Sequence, residues 1–323
     1  MKKFLITIGI ITAVLYALSL RDIPEKITYG VSFSKFHADE LKLDWKEAYL
    51  ALLNDLGVKH FRFSAHWPNT EPAEGRYNFS ELDFQMAEAQ KREADVILAV
   101  GRRLPGWPEC HVPEWAQKLE TRDKQQAVLK YIETVINRYK NHPSLKYWQV
   151  ENESFLTFFS RSQCGKLDKG FLEEEIALVK KLDPAHPVLL TSSGEFDPWF
   201  QTYKRADVFG SSLYLYVWWK TGPFRYPITP AFFRIKQNIV DLIYGQKPKV
   251  LIELAAEPWL LQPIVNTDIK IQQERMGTDK FKEMIKFSSQ TGFGEQYLWG
   301  AEWWYWLKKQ GLSDHWNEAQ KLF

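Results

Sequence analysis

An excess of charge of either sign is missing from this sequence. Its 42 Lys and Arg face 40 Asp and Glu, a formal net charge of +2. That balance provides no clustered basic face, so a nucleic-acid partner is excluded. Metal-ligand clusters are missing too. Among seven His and two Cys there is no His-Glu-x-x-His and no grouped Cys/His spacing, so neither a catalytic metal nor any other cofactor is expected. No low-complexity linker or internal repeat divides residues 27–323, and only one long apolar run occurs, at residues 4–18. The segment Gly30-Val31-Ser32-Phe33 lacks the glycines of a dinucleotide-binding turn, which argues against an open doubly wound sheet.

What the chain does hold is aromatic rings. Fourteen Trp, 14 Tyr and 21 Phe make up 15% of its 323 residues. Flat apolar faces with a polar handle suit sugar rings; equally, a large barrel buries many aromatics. The apolar run follows Met1-Lys2-Lys3, the pattern of a signal peptide or signal anchor over residues 1–21. The sequence-based expectation is therefore an exported protein, membrane-anchored through this segment or secreted, with its catalytic domain outside.

From residue 22 onward, short apolar runs alternate with amphipathic stretches. Strands are expected at 27–34, 60–67, 95–101, 145–152, 188–193, 208–216, 249–254 and 296–300. Helices are expected at 45–56, 80–93, 122–139, 169–182, 231–244, 279–290 and 316–322. Eight strands alternating with helical segments predict an α/β fold, a single-domain (β/α)8 TIM barrel over 22–323.

The active site of such a barrel lies at the C-terminal ends of its strands. Strand four closes Trp148-Gln149-Val150-Glu151-Asn152-Glu153 and strand seven closes Val250-Leu251-Ile252-Glu253. Two carboxylates across one barrel mouth are what retaining glycoside hydrolysis needs, one as acid/base and one as nucleophile. The alternative is that each is a structural ion-pair partner.

These residues resemble the clan A glycoside hydrolases, the group of family 5 cellulases and family 42 β-galactosidases. Asn152-Glu153 resembles the clan's strand-four Asn-Glu, with Trp148 five residues before the Glu. The stretch from Arg62 to Asp83, RFSAHWPNTEPAEGRYNFSELD, resembles its strand-two segment. Asp207 to Tyr214 resembles the segment whose Tyr bonds the nucleophile, and Trp299 falls where the clan places a Trp under the sugar. The resemblance implies retaining hydrolysis of β-linked O-glycosides in an oligosaccharide or polysaccharide. It assigns Glu153 as acid/base, Glu253 as nucleophile, Asn152 to the sugar 2-hydroxyl, and Arg62 and Tyr214 as supports of the nucleophile.

The sequence departs from that pattern in two places. Ser154 stands where many family 5 enzymes have Pro, and strand seven lacks the usual Ile-Thr-Glu. Glu257, in Glu257-Pro258-Trp259, is a second nucleophile candidate, although Glu253 keeps the expected six-residue distance from Lys247. Read as a loop or subsite residue, Glu257 joins Trp107, Glu109 and His111 after strand three and Glu195 after strand five as sugar contacts. Glu151 is expected to lie behind the site. Two other readings stay open: a transglycosylase, and a non-catalytic carbohydrate-binding barrel. Cys110 and Cys164 fall in the loops after strands three and four, which leave the same rim, so either a disulfide or two buried thiols is expected.

Overall fold

The computed structural model describes residues 2–156, 158, 160–219 and 222–323. In chain order its strands are β1 (Thr28–Ser32), β2 (His60–Ser64), β3 (Asp95–Val100), β4 (Leu145–Val150), β5 (Val188–Ser192), β6 (Val208–Leu213), β7 (Tyr216–Trp219), β8 (Gly222–Arg225), β9 (Lys249–Ala255) and β10 (Glu295–Trp299). Eight of them close into a parallel barrel in which β6 neighbours β9 and β10 pairs back onto β1. β7 and β8 form an antiparallel hairpin on the rim beyond β6.

The strands read as near-continuous apolar runs because both of their faces are covered. Ile97, Leu189, Val208, Val250, Ile252 and Tyr297 pack against one another inside the barrel. Their neighbours Val96, Leu98, Phe209, Leu251 and Leu298 belong to the larger layer shared with the helices. That alternation follows from the two-residue period of a strand. Gly30 is where the interior has no room: a Cβ there would lie 2.7 Å from both the His60 carbonyl and the Tyr297 ring.

The outer helices form where the apolar spacing predicts them. The helix Thr121–Tyr139 buries Val128, Tyr131, Ile132, Val135, Ile136 and Tyr139, three or four residues apart. Asp44 caps the helix Trp45–Asn54, accepting from the Lys46 amide at 2.9 Å and the Glu47 amide at 3.3 Å, a cap worth about 1 kcal/mol. The sequence reading missed the helix Ala301–Lys309, whose Trp303 and Trp304 are fully buried. It also ran strand six on into the hairpin. In the structure Leu213 ends β6, and Tyr216 begins β7 in antiparallel pairing.

The membrane-anchored placement expected for the exported protein needs correction. The N-terminal segment forms a helix, Lys2–Ser19, but among the described residues no helix is long and apolar enough to cross a membrane. Its 18 residues rise only about 27 Å, against a hydrocarbon core of about 30 Å. Its end is docked on the helix Pro230–Tyr244. Asn238 Nδ2 donates to the Leu18 carbonyl at 2.7 Å, Arg234 Nε donates to the Ser19 carbonyl at 2.8 Å, and Arg21 pairs with Asp241 at 2.8 Å.

Candidate active site

Arg62, on β2, organises the barrel mouth. It is 1% exposed, and a buried guanidinium must find partners for its fixed fork of donors. Nε donates to Gln149 Oε1 at 2.8 Å, Nη2 to Asn152 Oδ1 at 2.8 Å and Nη1 to Glu253 Oε2 at 2.6 Å. One side chain thus joins the ends of β4 and β9. The other Glu253 oxygen accepts from the Tyr214 hydroxyl at 2.5 Å. Burial, and then the Glu253 charge, hold that phenol well above its ordinary pKa. Glu195 accepts from the Tyr214 amide at 2.8 Å, so it props the tyrosine's backbone from the loop after β5.

Glu153 lies across the mouth just past β4, part-buried. Its amide donates to Thr191 Oγ1 at 2.7 Å, and Thr191 in turn donates to Asn152 Oδ1 at 3.1 Å. Its carboxyl Oε1 accepts from Ser212 Oγ at 2.7 Å, and Ser212 is the register partner of Glu253 on the next strand. Ser212 thus bonds the Glu153 carboxyl from the strand position paired with Glu253. Burial, then the charges of Glu253 and Glu109, push Glu153 up to about 8, against the weaker pull of Ser212 and Arg103.

The backbone here is strained. Glu151 and Glu153 have φ of 56° and 42°, a left-handed conformation that costs a non-glycine residue about 1–2 kcal/mol. The Glu151 carboxylate explains its own position: it accepts from the amides of Arg102 at 2.8 Å and Arg103 at 2.6 Å, so it anchors the loop after β3. Gly101 lies against it with φ of 120°, and a Cβ there would come within 2.6 Å of Glu151 Oε1. The loop's far end is tied down by a Cys110–Cys164 disulfide, with Cα atoms 5.3 Å apart. Of the two states left open for the cysteines, the structure has the bonded one.

The remaining residues singled out from sequence fall in four places. Glu109 joins the central cluster; its carboxylate is 3.3 Å from Arg103 Nε and 3.5 Å from Asn152 Nδ2. Burial, opposed by Arg103 and reinforced by Glu253, pushes it up to about 7. Glu257 and Trp299 form a second cluster with His37. Glu257 accepts from Trp299 Nε1 at 2.7 Å and lies 2.7 Å from His37 Nε2, while the His37 and Trp299 rings stack. Burial opposes protonation of His37, but Glu257 and Glu40 outweigh it and hold the imidazole well above its usual range. His111 is buried 4.5 Å, ring to ring, from His66, with Phe36 edge-on to it. Trp107 is 55% exposed on the outer loop. Sequence reading missed Thr191, Ser212, His37 and His66. Each is a single small or ring side chain in an unremarkable run, and only closure of the barrel brings it to the mouth.

Fold and site define a class, the (β/α)8 barrels of glycoside hydrolase type. Residues 39–249 match glycosyl hydrolases family 2, TIM barrel domain, and the chain belongs to that family. It is 25% identical over 190 residues to the β-galactosidase BgaA of Clostridium cellulovorans, covering 53% of this chain but 28% of that protein. The chain thus spans less than a third of that relative's length. Solved structures share the fold. A family 5 mannosidase from Rhizomucor miehei superposes with a TM-score of 0.59 at 16% identity, covering 85% of this chain and 81% of the other. A β-galactosidase from Rahnella sp. R3 superposes with a TM-score of 0.55 at 15% identity, covering 86% and 51%. The expected likeness to family 5 and family 42 barrels therefore holds for the fold, and family 2 is where the chain itself belongs.

Proposed function

We propose that this barrel hydrolyses β-linked O-glycosides with net retention, with Glu253 as nucleophile and Glu153 as acid/base. The observation that carries the reading is the contrast between the two carboxyls. Glu253 accepts from Arg62 on one oxygen and from Tyr214 on the other, bonds that orient it in the mouth. Glu153 has one hydroxyl donor and is pushed up to about 8, so it keeps its proton near neutrality. Opposed environments for two neighbouring acids are how acid and nucleophile are told apart.

In the proposed cycle Glu253 attacks the anomeric carbon while Glu153 gives its proton to the departing oxygen. Glu153, now ionised, takes a proton from water, which releases the sugar from Glu253. Asn152, held by Arg62 and Thr191, is placed to bond the sugar 2-hydroxyl. The alternative nucleophile, Glu257, is bonded to His37 and Trp299, whereas Ser212, which donates to Glu153, is paired in register with Glu253, and this favours Glu253. Trp299, Glu109, Glu195, His111 and Trp107 are proposed to line the subsites. The relatives named β-galactosidase make aryl β-galactosides the first substrates to try. The test is a panel of aryl β-glycosides with the product anomer followed by NMR; β-anomer appearing first supports retention, and α-anomer first refutes it.

A further inference from the structure

His37 has no part in the cycle proposed above, yet every polar atom it carries is engaged. It lies on the helix Lys35–Glu40, just past β1, and is 8% exposed. Its carbonyl accepts from the Leu41 amide at 3.1 Å and its own amide donates to Ser34 Oγ at 3.3 Å. The Ser34 amide in turn donates to Glu302 Oε1 at 2.5 Å, which ties this turn to the helix Ala301–Lys309. The His37 ring meets two carboxylates. Nε2 is 2.7 Å from Glu257 Oε2, and Nδ1 is 3.3 Å from Glu40 Oε2. A neutral imidazole donates from one nitrogen only, whereas imidazolium donates from both, so this pair of partners favours the charged ring. The same ring lies over Trp299, with centroids 5.8 Å apart and planes 21° from parallel. Glu257 closes the group, because its other oxygen accepts from Trp299 Nε1 at 2.7 Å. The backbone around Glu257 is confined as well. The Ala256 amide donates to the Trp299 carbonyl at 2.9 Å, and a Cβ on Gly300, whose φ is 110°, would come within 2.5 Å of Glu257 Cβ.

We propose that His37 is a positioning residue for sugar binding: paired with Glu257, it fixes the orientation of the Trp299 indole. This rests on the reading of Trp299 as a subsite residue. An indole is free to turn about its side-chain torsions unless something stops it. Here the Nε1–H bond to Glu257 stops the rotation and the stacked imidazole supports one side of the ring. A carboxylate held only by that indole would itself swing, and His37 secures its second oxygen. The charged groups facing His37 are Glu257 after β9, Glu302 from the helix Ala301–Lys309, and Glu40 from its own helix. The Glu40 side chain is 51% exposed and that of Glu257 15%, so water screens the first pair and much less the second. The ring is held well above its usual range, so the imidazolium and its pair with Glu257 are present at neutral pH. As pH rises through that raised value the charge is lost and the hold on Glu257 slackens. The consequence falls on sugar binding, hence on KM more than on kcat.

The experiment reads two things in a Glu153→Gln background, where the acid's own titration is absent. One is the Trp299 indole N–H resonance, assigned with Trp299→Phe. The other is the affinity, by calorimetry, for an aryl 1-thio-β-glycoside matching the glycoside that is turned over. His37→Leu removes the bond to Glu257, and His37→Gln replaces it with a neutral amide donor. The proposal expects His37→Leu to shift the indole resonance and to weaken binding on the order of tenfold, with His37→Gln recovering part of both. With His37 in place, affinity should fall as pH rises through the titration of its own ring C–H resonances; in His37→Gln that fall should be absent. Should Leu prevent folding, Glu257→Gln keeps an acceptor for the indole but withdraws the charge, and the His37 titration should move toward acid. An indole resonance unmoved in His37→Leu, equal losses in Leu and Gln, or a His37 titration unmoved in Glu257→Gln would overturn the proposal. The underlying reading fails separately: if Trp299→Phe and Trp299→Ala both bind the thioglycoside as the parent does, Trp299 is no subsite residue, whatever its indole resonance owes to His37.

Discussion

Replacing Arg62 by Met tests the architecture of the mouth. The substitution keeps much of the side-chain length but removes the guanidinium that joins Gln149, Asn152 and Glu253. Arg62 is 1% exposed and Glu253 8%, so water cannot take over the lost bonds. Removing one partner of a buried ion pair costs about 3–5 kcal/mol, because the other charge is left behind. Arg62→Met should therefore lower urea stability by about 3–5 kcal/mol. It should also lower kcat/KM by roughly 10²–10³, the equivalent of about 3–4 kcal/mol of lost nucleophile orientation. A double-mutant cycle with Glu253→Gln separates the pair from simple packing loss. A neutral amide leaves no orphan charge, so the double variant should be more stable than the sum of the two single changes implies, by about 1–3 kcal/mol. Strict additivity, or a single-variant loss under about 1 kcal/mol, would refute the claim that Arg62 holds a buried carboxylate.

Glu153→Gln should remove nearly all activity on glycosides with poor leaving groups and spare activated aryl glycosides, since a good leaving group needs little protonation; equal loss on both contradicts the acid role. Gly101→Ala should cost about 2–3 kcal/mol in urea unfolding and depress kcat, because its Cβ would press within 2.6 Å of the Glu151 carboxylate; an unchanged transition midpoint would contradict that clash. Replacing Cys110 and Cys164 together by Ser opens a link spanning 54 residues, for which chain entropy gives a loss of about 4 kcal/mol. Mass spectrometry of non-reduced peptides checks the bond itself, and alkylation of both thiols without reductant would show it absent.

The barrel was legible because its strands are buried on both faces, and such strands leave compact apolar runs between amphipathic helices. Strand seven and strand eight of the sequence reading match β9 and β10 to within a residue or two. The helix Ala301–Lys309 was not, because Trp303, Trp304 and Trp306 break the plain alternation of apolar and charged faces; Trp303 and Trp304 instead donate to Gln272 and the Ala256 carbonyl. Within the site, residues that close a strand were readable: Glu153 after β4, Glu253 in β9. The partners that tune them were not. Ser212 and Thr191 are ordinary strand residues until pairing with the next strand fixes which group each one meets. His37 illustrates the limit further, since its partner Glu257 is 220 residues away in the chain. The apolar run at residues 4–18 misled as a membrane anchor because its helix has 18 residues and, among the described residues, no helix is long and apolar enough to cross a membrane. Here hydrogen bonds from Asn238 and Arg234 close its end.

The most direct test is to trap the reaction halfway. An activated 2-deoxy-2-fluoro analogue of whichever aryl β-glycoside is turned over should stall the protein as a covalent glycosyl adduct, and peptide mapping locates the sugar. The account expects a stoichiometric label on Glu253, with none on the Glu253→Gln variant and none on Glu257. A label on Glu257, or steady turnover with α-anomer released first and no adduct, would contradict it.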